Sequence, residues 1–229
     1  MTIRISCISL VLLTAFTDTV FAETPTERLQ SRSISAGETL SELITSPNRN
    51  VPTSLLKSAT CVAVIPKVVN GGVLAGGTSG RGVASCRDGN DWSAPEFLIL
   101  SGGSIGFQIG IDSIDLVLIF VRTSAIDVVS QDFFTLGVNA SISAGPIGKD
   151  LRAGEDYKLD SDIYSYSRAR GLFAGVAFQG TVIKPDASAD QLLYGPNLTS
   201  KEILAKSGAS SPIETLAFIE TLKMNFPKQ

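Results

Sequence analysis

Cys61-Val62-Ala63-Val64-Ile65 is a continuous apolar run rich in β-branched residues, and Leu116-Val117-Leu118-Ile119-Phe120-Val121 is a second. Short apolar runs of this kind read as strands buried on both faces. Three further stretches alternate with period two. They are Phe107, Ile109 and Ile111; Leu136, Val138, Ala140 and Ile142; and Leu172, Ala174, Val176 and Phe178. Such alternation predicts antiparallel strands with distinct faces. No regular strand–helix alternation is present, which argues against a parallel, doubly wound sheet.

Outward from this middle, both ends read as helix. Thr24-Pro25-Thr26-Glu27 is a capping box with Pro at the first helical position. Ser35-Ala36-Gly37-Glu38 offers a second start, so residues 23–58 hold either two helices or one interrupted helix. Residues 123–132 predict a helix inserted between strands. Thr199-Ser200-Lys201-Glu202 and Ser211-Pro212-Ile213-Glu214 repeat the capping-box pattern near the C-terminus. The expected fold is α+β: a curved, mainly antiparallel sheet, open to barrel-like closure, flanked by N- and C-terminal helices. The expected division is a helical extension over 23–52 and one domain over 53–229.

Residues 1–22 have a separate reading. A charged start, Met1 to Arg4, precedes a mostly apolar run from Ile5 to Phe16, too short for the roughly 20 residues that span a bilayer. Val20-Phe21-Ala22 then presents a cleavage site. The expectation is a signal peptide over 1–22 and a periplasmic or secreted protein. Removing Cys7 leaves Cys61 and Cys86. An even count in an oxidising compartment predicts a disulfide between them; two unpaired, partly buried thiols are the alternative.

The 229 residues carry 19 Lys+Arg, 22 Asp+Glu and no His, for a net charge of -3. That balance gives no drive toward nucleic acid. Without His, a Ser-His-Asp triad and a His-based zinc site are excluded. Asp160-Ser161-Asp162 lacks the Gly and Glu of a calcium loop, and it reads, like Asp112 with Asp115, as a solvated turn. No catalytic set, metal site or cofactor motif emerges. Gly145-Pro146-Ile147-Gly148-Lys149-Asp150 has Asp where a phosphate-binding loop needs Ser or Thr. The glycines crowded over 71–82 and 102–110 read as bulges and close backbone approaches in a curved sheet.

The order of motifs carries a resemblance. Ala63-Val64-Ile65-Pro66-Lys67-Val68, Gly80-Arg81-Gly82-Val83, Asp91-Trp92-Ser93-Ala94-Pro95 and Ser101-Gly102-Gly103-Ser104-Ile105-Gly106 follow one another. Ala144-Gly145-Pro146-Ile147-Gly148, Gly171-Leu172-Phe173-Ala174-Gly175 and Tyr194-Gly195 complete the series. Residues 53–195 thereby resemble the SYLF domain family, also called the Ysc84 actin-binding family, in its secreted bacterial type. The resemblance implies a lipid-binding module; eukaryotic members bind phosphoinositide membranes through a basic N-terminal segment, and some bind actin.

Residues 51–67 hold only Lys57 and Lys67 as cations, fewer than the roughly four to eight of a polybasic lipid patch. The lipid-binding candidates are therefore Lys57 and Lys67 together with Lys149 and Arg152. Arg168 and Arg170 form a further basic spot. Leu55 and Leu56 are the candidate apolar wedge, and Trp92 reads as a core anchor. The expected function is an exported, non-enzymatic module that binds an anionic phospholipid or phosphoinositide-like headgroup weakly at the cell envelope. A structural or protein-interaction module without lipid specificity is the alternative. Export removes access to cytoplasmic actin, so actin is not an expected partner.

Overall fold

A computed structural model describes residues 23–45, 51–72, 76–104, 112–146, 159–169, 172–175 and 180–227. Residues 1–22, the period-two stretch at 107–111, Lys149, Arg152 and Arg170 lie outside them. The Thr24–Glu27 capping box forms: the Glu27 amide donates to Thr24 Oγ1 at 3.2 Å and the Thr24 amide to Glu27 Oε2 at 2.6 Å. It opens one uninterrupted helix, α1 (Pro25–Thr45), followed by α2 (Thr53–Ser58).

Two long strands follow, β1 (Cys61–Gly72) and β2 (Gly76–Asp88), then β3 (Asp91–Trp92), β4 (Glu96–Ser104) and β5 (Asp112–Phe120). After the short helix α3 (Ala125–Val129) come β6 (Phe134–Thr135), β7 (Ile142–Ala144), β8 (Ile163–Ala169), β9 (Leu172–Gly175) and β10 (Val182–Pro185). Helices α4 (Ala187–Tyr194), α5 (Ser200–Leu204) and α6 (Leu216–Asn225) end the described chain.

The strands form one sheet in the order β6-β10-β4-β2-β1-β5-β8-β7, with β3 on β2 and β9 on β8. All pairings are antiparallel except β7 with β8. The two edge strands, β6 and β7, are joined by residues 136–141 alone. So short a connection spans at most about 20 Å, so the sheet curls into a half-barrel.

Both faces of the curl are apolar, which is why β1 and β5 read as unbroken runs. Val62, Val64, Val83, Phe97, Val117 and Ile119 pack outward beneath α1, α2 and α6, against Leu40, Leu55 and Phe218. Ala63, Ile65, Leu98, Leu116, Leu118 and Phe120 line the concave side with Phe134, Ile142 and Val129. Cys61 and Cys86 face each other across β1 and β2, Cα atoms 3.9 Å apart, and are joined by a disulfide in this inner layer. Trp92 is buried, edge-on to Phe226 and beneath the Arg87 guanidinium.

Three local expectations change. Leu55 and Leu56 are not an exposed wedge; they are buried because α2 docks its apolar side on the sheet. The alternating stretch from Leu136 is a turn between edge strands. Gly137 takes a φ of 78°, and Asn139 Oδ1 accepts the Thr135 amide at 2.7 Å, a local bond that competes with strand pairing. At 211–214 no capping box forms, because Pro212 takes the cap position of a 3-10 turn at Ile213–Thr215 and offers no side-chain acceptor. The Thr199–Glu202 box does form.

Candidate functional site

The site begins with a defect in β1. Its register with β2 shifts between Val64 and Val69, and with β5 between Ile65 and Val68. Lys67 sits in this bulge at φ 52°, and its amide donates to Asp115 Oδ1 at 2.9 Å. Asp115 is in turn held by the Arg168 guanidinium, 2.6 Å away. The glycines of β2 make room for the bulge. A Cβ on Gly82 would meet the Val64 carbonyl oxygen at 2.1 Å, and one on Gly80 would meet the Ile65 side chain at 2.7 Å. Bulges of this kind re-aim a side chain out of the ladder.

Above the bulge lies a cavity of about 390 Å³. Helix α1 contributes Arg28, Ser31, Arg32 and Ser35, whose spacing puts them on one helical stripe. The bulge contributes Pro66 and Lys67; β2 contributes Ser79, Gly80 and Arg81. Four cations and three hydroxyls thus converge, and no carboxylate lines the cavity among the described residues. This donor set suits an anion with several oxygens, since guanidinium groups bind phosphate through paired N–H bonds.

Two of the four cations are anchored from behind. Arg32 Nη1 lies 3.0 Å from Asp186 Oδ2, and Arg81 Nη1 lies 3.4 Å from the same oxygen. Arg32 also lies over the Phe97 ring at 5.3 Å. Burial pushes the Asp186 carboxyl up, but Ser188, Arg32 and Arg81 together outweigh it and hold the group below its ordinary range. Asp186 precedes α4, and one turn later stands Asp190, which accepts the Phe97 amide at 2.9 Å. Burial, reinforced by Asp186, pushes Asp190 up to about 7. Glu96, next to Phe97 on β4, is fully buried and is pushed up to about 8 by burial and then by Asp190. Neither Glu96 oxygen has a hydrogen-bond partner of good geometry; the Ser200 hydroxyl offsets only part of the cost of burial.

Of the sequence candidates, Lys67 reaches the cavity. Lys57 is exposed on α2 and does not line it. Arg168 serves Asp115 and Glu42 instead. Sequence reasoning missed Arg28, Arg32 and Arg81. Arg28 and Arg32, four apart with Ser31 and Ser35 between and beyond, carried a legible polar stripe. Arg81 stands between two glycines and enters only as part of the Gly80-Arg81-Gly82-Val83 motif of the family resemblance.

Residues 101–225 match the family described as "Las17-binding protein actin regulator" (Ysc84). The chain is 35% identical over 187 residues to Protein YSC84 of Saccharomyces cerevisiae, a match covering 78% of this chain and 39% of that protein. This chain belongs to the Ysc84 (SYLF) family. It is also 36% identical over 160 residues to the LAS seventeen-binding protein 3 of the same yeast, covering 68% of the chain and 34% of the relative. Identity to the SH3 domain-containing YSC84-like protein 1 of Xenopus laevis is 31% over 184 residues, covering 77% and 55%. The chain therefore spans between about a third and about half of these family members. Of these names, LAS seventeen-binding protein 3 describes a binding protein, and none names an enzymatic activity.

Proposed function

We propose that this chain is a non-enzymatic binding module that engages anionic lipid headgroups peripherally, at the cell envelope after export. The observation that carries the reading is the convergence of Arg28, Arg32, Lys67 and Arg81 around one open cavity with three hydroxyls and, among the described residues, no lining carboxylate. Exposed Val69, two residues beyond Lys67, gives that face an apolar contact for an interface. Because the chain is net negative, attraction comes from this local cluster and weakens with salt once the Debye length falls below about 8 Å.

A second reading is a protein-interaction module. The family description as an actin regulator and the name LAS seventeen-binding protein favour it. Vesicle co-sedimentation separates the two. The protein should partition onto phosphatidylglycerol vesicles at low salt, not onto phosphatidylcholine, and the exposed-cation variant Arg28→Glu/Arg81→Glu should abolish partitioning. Absence of partitioning at low salt rejects the lipid reading and leaves the protein-interaction one.

A further inference from the structure

The buried carboxyls behind the cavity have no part in holding a headgroup, yet they meet where α4 is fastened to β4. Three bonds make that fastening. The Asp186 amide donates to the Phe97 carbonyl at 2.7 Å, the Phe97 amide donates to Asp190, and the Tyr194 hydroxyl donates to the Pro95 carbonyl at 2.5 Å. Glu96 sits inside this fastening. The charged and titratable groups around it come from every neighbouring element. Asp190 and Tyr194 belong to α4, Asp186 immediately precedes it, and Ser200 approaches from α5. Arg32 of α1 and Arg81 of β2 go to Asp186. Lys201 of α5 goes to Asp127, Lys184 of β10 is exposed, and Glu214 of the 3-10 turn adds only negative charge near Tyr194. Among the described residues no cation is bonded to Glu96.

We propose that Glu96 and Asp190 form a proton-dependent latch, which fastens α4 to β4 while protonated and, through Asp186, keeps Arg32 and Arg81 in place around the cavity. With both carboxyls neutral, the pair is buried at little electrostatic cost and Asp186 alone carries the charge that orients the two arginines. With both ionised, three carboxylates crowd one turn of α4 and one end of β4. Moving α4 toward solvent relieves that repulsion. Asp190 lines a cleft of about 470 Å³ between α4 and α5, which gives protons and water a way in. Loosened α4 takes Asp186 with it, so Arg32 and Arg81 lose their fixed geometry. The latch itself stands on these contacts; its effect on the cavity rests on the headgroup reading above.

Two measurements on the intact protein test the two halves. Hydrogen exchange at the Asp186 and Phe97 amides, corrected for intrinsic rates, reads the latch, since these two amides make the bonds between α4 and β4. Opening should rise roughly fivefold or more between about pH 6 and about pH 9, and it should stay flat in Glu96→Gln/Asp190→Asn. Glu96→Gln alone, which keeps the Asp190 bond to Phe97, should show an intermediate slope. A flat wild-type profile, or an unchanged slope in both variants, overturns the latch. Partitioning onto phosphatidylglycerol vesicles reads the coupling, because a phosphodiester keeps its charge over that range. Binding should fall as pH rises in the wild type and not in the double variant. Opening that rises while binding stays constant overturns the coupling alone. Opening that rises with no binding at either pH also removes the headgroup reading.

Discussion

Asp186 and Asp190 stand one helical turn apart, both nearly sealed from water at 1% and 5% exposure, yet their surroundings shift the two carboxyls in opposite directions, Asp186 below the ordinary range and Asp190 above it. The Asp186 carboxyl sits against two guanidinium groups and a hydroxyl; that of Asp190 accepts one amide and faces other carboxyls. Burial raises both, so burial is not what separates them. The partners separate them: Arg32 lies 3.0 Å from one carboxylate and acts on the other only at longer range. One end of α4 is thus anchored by charge and the next turn by the absence of charge.

The largest break in this contrast is Arg32→Met. It removes the closer partner of a carboxylate whose side chain is 2% exposed, while keeping most of the apolar contact with Phe97. Losing one member of a buried pair costs about 3–5 kcal/mol; because Arg81 remains, the lower part of that range is expected. Urea unfolding at neutral pH reads the loss. Adding Asp186→Asn to Arg32→Met should restore part of it, since no unpaired charge is then buried. A double variant no more stable than Arg32→Met alone would show that the arginine works through packing.

The second break concerns pH, and the two acids give opposite signs. The folded-state value of Asp186 is depressed, so its contribution is complete above the unfolded value of 3.8 and is lost as pH falls through the folded one. For Glu96 the folded-state value is raised from 4.5 to about 8. Stability tied to its neutral form is therefore full below 4.5 and is lost as pH rises through about 8. Glu96→Gln should leave stability nearly unchanged below pH 4.5, gain progressively above it, and add about a few kcal/mol above about pH 8. Denaturant midpoints for the two proteins across that range check it; curves that stay parallel would place no titrating group at Glu96.

What could be read from the sequence follows the same division. The runs at Cys61–Ile65 and Leu116–Val121 showed their burial because strand periodicity is local, and the caps at Thr24 and Thr199 showed because a box needs only four residues. The half-barrel curl is not legible there, since it depends on β6 and β7, consecutive in sequence, lying at opposite edges of the sheet. Lys67 was legible as a cation, but its companions were not. Arg28 and Arg32 lie more than thirty residues earlier, and Arg81 reaches them only because the bulge and Gly82 bring α1 and β2 to one cavity. The buried acids were illegible for a similar reason. Nothing near Glu96 in sequence indicates that α4, almost a hundred residues later, brings a second carboxylate to it.

The smallest expected effect sharpens the comparison at Asp186 itself. Arg81 and Arg32 share one carboxylate oxygen, but the Arg81 side chain is 63% exposed and its contact is longer, 3.4 Å against 3.0 Å. A largely solvated guanidinium at that distance is screened by water, and pairs of this kind contribute about 0–1 kcal/mol. Arg81→Met should therefore shift the unfolding midpoint by only a small fraction of what Arg32→Met does. Its effect should appear in the cavity instead, where a quarter of the positive charge disappears, as weaker partitioning onto phosphatidylglycerol vesicles at low salt. Partitioning and stability then come apart: Arg81→Met loses vesicle binding with the fold intact. Equal destabilisation by the two substitutions would mean that Asp186 is held by both arginines alike, and that the burial of Arg32 confers no advantage.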